Sequence, residues 1–121
     1  MMHIFFKSKI HGLVVTKAEL YYEGSITLDE DLLDAADIRT GEKVEVLNVN
    51  NGTRLETYAI KAKRGSGRVW LNGPAARSGC AGDKIIVLCY CLLDDRELKS
   101  ARMKVIKVNE RNKIKASYLR R

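Results

Sequence analysis

The stretch KVEVLNVNNGTRLETYAIKAK, Lys43 to Lys63, is where the architecture of this chain can be read most directly. Val44, Val46 and Val49 recur with an imperfect alternation, which marks a strand with one face turned inward. Asn51-Gly52 is the strongest short hairpin signal a sequence offers, because both residues tolerate the positive φ angles that a tight two-residue turn requires. Thr53 to Lys63 then returns as a second strand rich in β-branched and aromatic residues. The centre of the chain is therefore an antiparallel hairpin, and the rest is read outward from it.

On the C-terminal side, Arg64-Gly65-Ser66-Gly67 turns the chain again. Arg68 to Leu71 and Asp83 to Leu93 read as strands, separated by Asn72 to Gly82, in which Pro74 is placed to begin a short helix. Met103 to Val108 reads as a last strand. On the N-terminal side, Asp29 to Asp37 carries Leu32, Leu33, Ala35 and Ala36 at helical spacing behind an Asp able to cap. Glu23-Gly24-Ser25 reads as a tight turn, and Lys17 to Tyr22 as either a turn of helix or a connector. His3 to Thr16 favours a strand bent at Gly12, with Lys9 and His11 on one face. About six strands and two short helices in so short a chain predict a mainly β, small closed barrel rather than a βαβ sheet.

Composition narrows the function classes. The chain has 121 residues, 45% hydrophobic and 31% charged, which fits a single domain (1-121) and argues against disorder. The longest apolar run, Ile85 to Leu93, is less than half a membrane span and the N-terminus lacks a signal-peptide pattern, so a cytoplasmic location with no membrane partner is expected. Three cysteines with no CxxC spacing make neither a disulfide framework nor a zinc site. The net charge of +7 would suit a small basic β-barrel that binds nucleic acid without catalysis, the alternative reading. From Arg96 onward, however, the balance is +8, and the residues before it carry −1. A cationic groove needs its charges spread over the folded body; here they belong to the end of the chain, with about 110-121 expected as a solvated basic tail. No nucleic-acid partner is therefore expected.

No P-loop, dinucleotide fingerprint or GxSxG elbow is present, and His3 and His11 lack a second histidine at ligand spacing, so no metal site is expected. What stands out is a set of short polar strings inside β segments: Lys9-Ile10-His11, Tyr22-Glu23-Gly24-Ser25, Arg54 with Thr57-Tyr58, and Asn72-Gly73-Pro74-Ala75-Ala76. In order and spacing they resemble the bacterial pyruvoyl-dependent aspartate 1-decarboxylases, from about Lys7 through Leu93, including Leu32-Leu33-Asp34-Ala35-Ala36, Asn51-Gly52 and Gly82-Asp83. Leu47 stands where some members of that family carry a tryptophan.

The resemblance implies a six-stranded double-psi β-barrel with one or two short helices, assembled as a homotetramer with active sites between subunits. It implies an inactive precursor that breaks its own Gly24-Ser25 bond, giving chains 1-24 and 25-121. Ser25 would become a covalent pyruvoyl group, the cofactor. A glycine at 24 permits backbone conformations closed to other residues, and Ser25 Oγ would attack its carbonyl. The pyruvoyl ketone would then hold L-aspartate as a Schiff base and accept electrons as CO2 leaves, giving β-alanine for pantothenate and coenzyme A biosynthesis. Tyr58 is implied as the proton donor to carbon. Arg54 and Lys9 are implied at the substrate, and the cations belong on the side-chain carboxylate, because pairing the departing one would stabilise the ground state. Thr57 and the backbone of Gly73, Pro74 and Ala75 would complete the substrate pocket, with His11, Tyr22 and Asn72 in support. Whether cleavage is spontaneous or uses a maturation factor as a partner stays open at this level.

Overall fold

The computed structural model describes residues 1–120; Arg121, the end of the expected tail, lies outside them. The fold is mainly β. Its strands are β1 Met2–Val14, β2 Lys17–Glu19, β3 Ser25–Asp29, β4 Lys43–Asn48, β5 Arg54–Ala62, β6 Val69–Asn72, β7 Lys84–Asp94, β8 Met103–Val108 and β9 Ile114–Arg120. One α-helix, α1 Glu30–Ala35, and two 3₁₀ turns, Gly73–Ser78 and Glu97–Lys99, complete it. All nine strands form one sheet in the order β2-β6-β3-β5-β4-β7-β1-β8-β9. The central hairpin forms, with Val44 opposite Thr57 and Leu47 opposite Arg54. However, β4 ends at Asn48 and β5 starts at Arg54, so the expected two-residue turn is a wider loop in which Gly52, and not Asn51, has a positive φ.

Three segments not read as strands bring the count to nine. Ser25–Asp29, which lay between an expected turn and an expected helix, is β3. Lys17–Glu19, read as a helical turn or connector, is a short strand paired in parallel with β6. The basic segment expected as a solvated tail is strand β9, laid antiparallel along β8 from Met103 opposite Arg120 to Val108 opposite Ile114. Its side chains are mostly exposed. The backbone is nevertheless held by the ladder, which charge content does not report.

Long β1 is bent where its register slips, at Lys7 and again at His11-Gly12. Gly12 has φ +88°, and a Cβ there would lie 2.8 Å from the carbonyl oxygen of Val108. The bend needs glycine for conformation and for space alike. The core is filled from the inner faces by Ile10, Leu13, Ile26, Leu28, Leu71 and Ile85, each essentially without solvent contact. The two ends of the ladder meet through a side chain. Buried Asn112, itself at φ +61°, accepts from Val14 N–H at 2.8 Å and donates at 2.9 Å to the carbonyls of Val14 and Gly67. It ties the β8–β9 turn to β1 and to the turn before β6, in keeping with the barrel expected. No helix among the described residues is long and apolar enough to cross a membrane.

Candidate active site around Ser25

Ser25 opens strand β3, between β5 and β6. The chain turns before it, at Leu20 to Tyr22, so the expected turn lies a few residues upstream and the Gly24–Ser25 bond sits at the strand entry. On one side Ser25 pairs with Asn72 of β6. On the other, Ile26 pairs in parallel with Ala59, which places Ser25 beside Tyr58. Registered residues on neighbouring strands point to the same side of a sheet. Ser25, Asn72 and Tyr58 therefore share one side, opposite the core side taken by Ile26, Leu71 and Ala59.

The Ser25 side chain is fully buried. The Asn72 amide donates from Nδ2 to Ser25 Oγ at 2.9 Å and to Thr27 Oγ1 at 2.7 Å, using both of its hydrogens. This fixes the serine oxygen as an acceptor and aims its own hydrogen elsewhere; the nearest acceptor is the Glu23 carbonyl, at 3.5 Å. Thr27 was missed in the sequence. Its alternation with Ser25, two residues earlier on the same strand, was the available signal.

Gly73, Pro74 and Ala75 form the start of the 3₁₀ turn directly after Asn72, with Pro74 in its first positions as expected. Gly73 has φ +63° and lies against the Tyr22 carbonyl and the backbone of Gly24. Gly24, in contrast, does not have a positive φ, and a Cβ there would meet only Pro74 Cδ at 3.4 Å. The backbone freedom expected at Gly24 is therefore not used in this conformation. The conformationally demanding glycine of the site is its neighbour in space.

Tyr58 is part exposed, and Tyr22 lies on the surface two residues before Gly24. Thr57 alternates to the core side with Leu55 and Ala59, and forms no side-chain hydrogen bond among the described residues. Arg54 shares the outer side of β5 with Tyr58. It is ion-paired with Glu45 at 3.4 Å, and Glu45 also accepts from the Tyr90 hydroxyl at 2.7 Å. Lys43 and Glu56 pair at 2.8 Å on the same face. Glu45 was not singled out from sequence, since a strand glutamate carries no spacing signal.

Lys9 and His11 lie elsewhere. Both belong to β1, four places from β3 in the ladder, and neither bonds to Ser25, Tyr58 or Asn72. Lys9 Nζ instead sits 5.4 Å from the Phe6 ring centroid. Burial, with the nearby charges of Lys9 and Lys107, holds His11 below the ordinary imidazole value and keeps the ring neutral near pH 7. One chain thus brings together Ser25, Gly24, Asn72, Tyr58, Tyr22 and the Gly73 turn, but not Lys9 and His11. No group of three His, Cys, Asp or Glu able to hold a metal occurs among the described residues.

A family model described as aspartate decarboxylase matches residues 1–115. The chain belongs to the aspartate decarboxylase family. Among its relatives, the aspartate 1-decarboxylase of Thermoanaerobacter pseudethanolicus is 52% identical over 93% of this chain and 97% of its own length. That of Cupriavidus necator is 50% identical over 95% and 96%, and that of Acetivibrio thermocellus 56% identical over 89% and 86%. In this aspartate decarboxylase family member, Ser25 is bonded to Asn72 and the backbone of Gly24 lies against Gly73.

Proposed function

We propose that this protein is a self-processing aspartate 1-decarboxylase, converting L-aspartate to β-alanine and CO2 at a pyruvoyl group made from Ser25. The observation that carries the reading is a buried serine whose oxygen is gripped by Asn72 at the entry of β3, in a chain of this family. The residues present fit such a group. Ser25 is enclosed, its oxygen is already polarised by a donor, and Tyr58 lies next to it on the neighbouring strand.

In maturation, Ser25 Oγ bonds to the Gly24 carbonyl carbon as the Gly24–Ser25 C–N bond breaks, and the hydroxyl proton ends on the freed nitrogen. Loss of the Ser25 Cα proton then breaks the Cβ–Oγ bond and releases Gly24 as a carboxylate. Water replaces the nitrogen, which leaves as ammonia, and residue 25 becomes the ketone. Asn72 orients the attacking oxygen and stays a donor to it throughout.

A pyruvoyl group at residue 25 would be held among Asn72, Thr27 and Tyr58 and would supply an electron sink for the bond to the departing carboxylate. Tyr58 supplies a proton to the carbon that loses CO2. Arg54 meets the side-chain carboxylate, and Glu45 with Tyr90 holds the guanidinium in place for it. The backbone of Gly73, Pro74 and Ala75 closes the pocket over the substrate, with Tyr22 at its edge, while Thr57 stands on the opposite side of β5.

Lys9 and His11 complete the site from a second copy, in a homotetramer whose subunits meet through the outer sheet face. That face carries exposed Ile4, Tyr90 and Leu92 along a groove of about 600 Å³, the kind of apolar surface that marks an interaction site. The product feeds pantothenate and coenzyme A synthesis in the cytoplasm. Nucleic-acid binding has no comparable support, since the basic residues stay concentrated at the C-terminal hairpin.

Intact mass under denaturing conditions, before and after warm incubation, tests the reading. The wild-type chain should split into residues 1–24 and 25–121, with a ketone in place of the new amine. Ser25→Ala should stay folded, uncut and without CO2 release from aspartate; decarboxylation by that uncut variant would overturn the mechanism.

A further inference from the structure

We infer that Gly73 is the positioning residue for self-cleavage: its missing side chain forms the seat on which the Tyr22–Gly24 backbone presents the Gly24–Ser25 bond to the Ser25 hydroxyl. The inference rests on the self-processing reading above and assigns Gly73 a task separate from backbone contact with the substrate.

Two independent features require glycine at this position. Its φ of +63° is a conformation that L-residues seldom adopt. A Cβ would also lie 2.6 Å from the Tyr22 carbonyl oxygen and 2.9 Å from both the nitrogen and the Cα of Gly24. All three are backbone atoms of the segment that enters the scissile bond. No rotamer change can relieve such contacts, so the segment itself would have to move. The constraint is one-sided, because a Cβ on Gly24 would reach only Pro74 Cδ at an ordinary 3.4 Å.

The placement links seat and nucleophile. Asn72, which holds Ser25 Oγ at 2.9 Å, is the residue immediately before Gly73. The serine is thus fixed through one residue of β6 and the bond it attacks through the next. A side chain at 73 would push Gly24 away while Asn72 keeps Ser25 Oγ in place, and intramolecular attack loses much of its advantage when the reacting atoms are displaced by an ångström.

Other glycines of the chain supply the control. Gly65 has φ +79°, yet nothing lies within 4 Å of its Cβ position. Gly65→Ala therefore carries the left-handed strain without the collision. Gly73→Ala carries both, and Gly73→Asn keeps the collision while easing the strain, since Asn tolerates left-handed backbone.

The cleavage rate of each variant and of wild type is read by intact mass during warm incubation, on protein whose circular dichroism and thermal transition show it folded. Gly65→Ala should cleave within two-fold of wild type, and each folded Gly73 variant at least ten-fold more slowly. Slowing of less than ten-fold in either folded Gly73 variant overturns the inference. Failure of both to fold while Gly65→Ala folds also overturns it, by making Gly73 a residue of the fold alone. A wild-type chain that stays intact brings down the self-processing reading and this inference with it, an outcome distinct from cleavage that ignores residue 73.

Discussion

Ser8 is buried on β1, and its hydroxyl has no hydrogen-bond partner among the described residues. It lies opposite Cys89, whose thiol is pushed up to about 12 by burial and by the nearby Glu42 carboxylate, and so stays protonated and inert. A desolvated, unpartnered hydroxyl costs stability, so Ser8→Ala should be neutral or stabilising by about 1 kcal/mol. The urea midpoint measures it, and a loss of that size would mean that the hydroxyl is in fact bonded. Ser25 contrasts with Ser8. It is equally buried but held by Asn72, and that difference separates an idle serine from a candidate nucleophile. Local patterning does not separate them; the string Tyr22-Glu23-Gly24-Ser25 singles out Ser25 only through the family resemblance, and the physical difference is a partner forty-seven positions further along the chain.

Asp29 links several elements at once. It caps α1 by accepting from Asp31 N–H at 2.9 Å, and accepts from Gly65 at 3.0 Å and Gly67 at 2.8 Å in the turn before β6. Burial alone would raise its pKa; the backbone donors, with the Lys113 charge, outweigh burial and hold the carboxyl below its ordinary 3.8. The folded state therefore binds this proton less readily than the unfolded chain does. The contribution is fully present above the unfolded value, near pH 4, and is lost as pH falls through the lower folded value. Asp29→Ala should cost about 3 kcal/mol at neutral pH, from the lost cap and the orphaned turn donors. Between pH 4 and 2 its stability should fall less steeply than that of wild type, as read by denaturation at each pH. Equal slopes would show that Asp29 titrates alike in both states. Arg64 closes the same region through pairs to Asp31 at 2.8 Å and Asp34 at 2.7 Å, but it is half exposed and adds little. The sequence indicated the cap; the second half of the Asp29 network came from a turn more than thirty residues away.

At the scale of the whole molecule, the apolar run Ile85 to Leu93 resolves into two faces. Ile85, Val87 and Cys89 point into the core, whereas Tyr90 and Leu92 are exposed on the outside. The proposed tetramer covers that outer side and brings Lys9 and His11 to a neighbour's Ser25. Leu92→Glu should then yield smaller species in sedimentation velocity and lower decarboxylation at least ten-fold, since a buried, unpaired carboxylate opposes association. A variant that remains tetrameric and active would place the interface elsewhere.

By itself the sequence determined the mainly β class, the central hairpin, the capped helix, the Pro74 turn and the strings that mark the family. These rest on local rules: alternation, φ preference and capping act over a few residues. Tertiary structure alone decided that the basic tail is strand β9, that Ser25 belongs to Asn72 and Thr27, and that Gly73 rather than Gly24 holds the demanding backbone. It also decided that Arg54 is tied to Glu45 while Lys9 and His11 stand apart from Ser25. Each depends on which strands become neighbours and in what register, a long-range choice made by burying one common core.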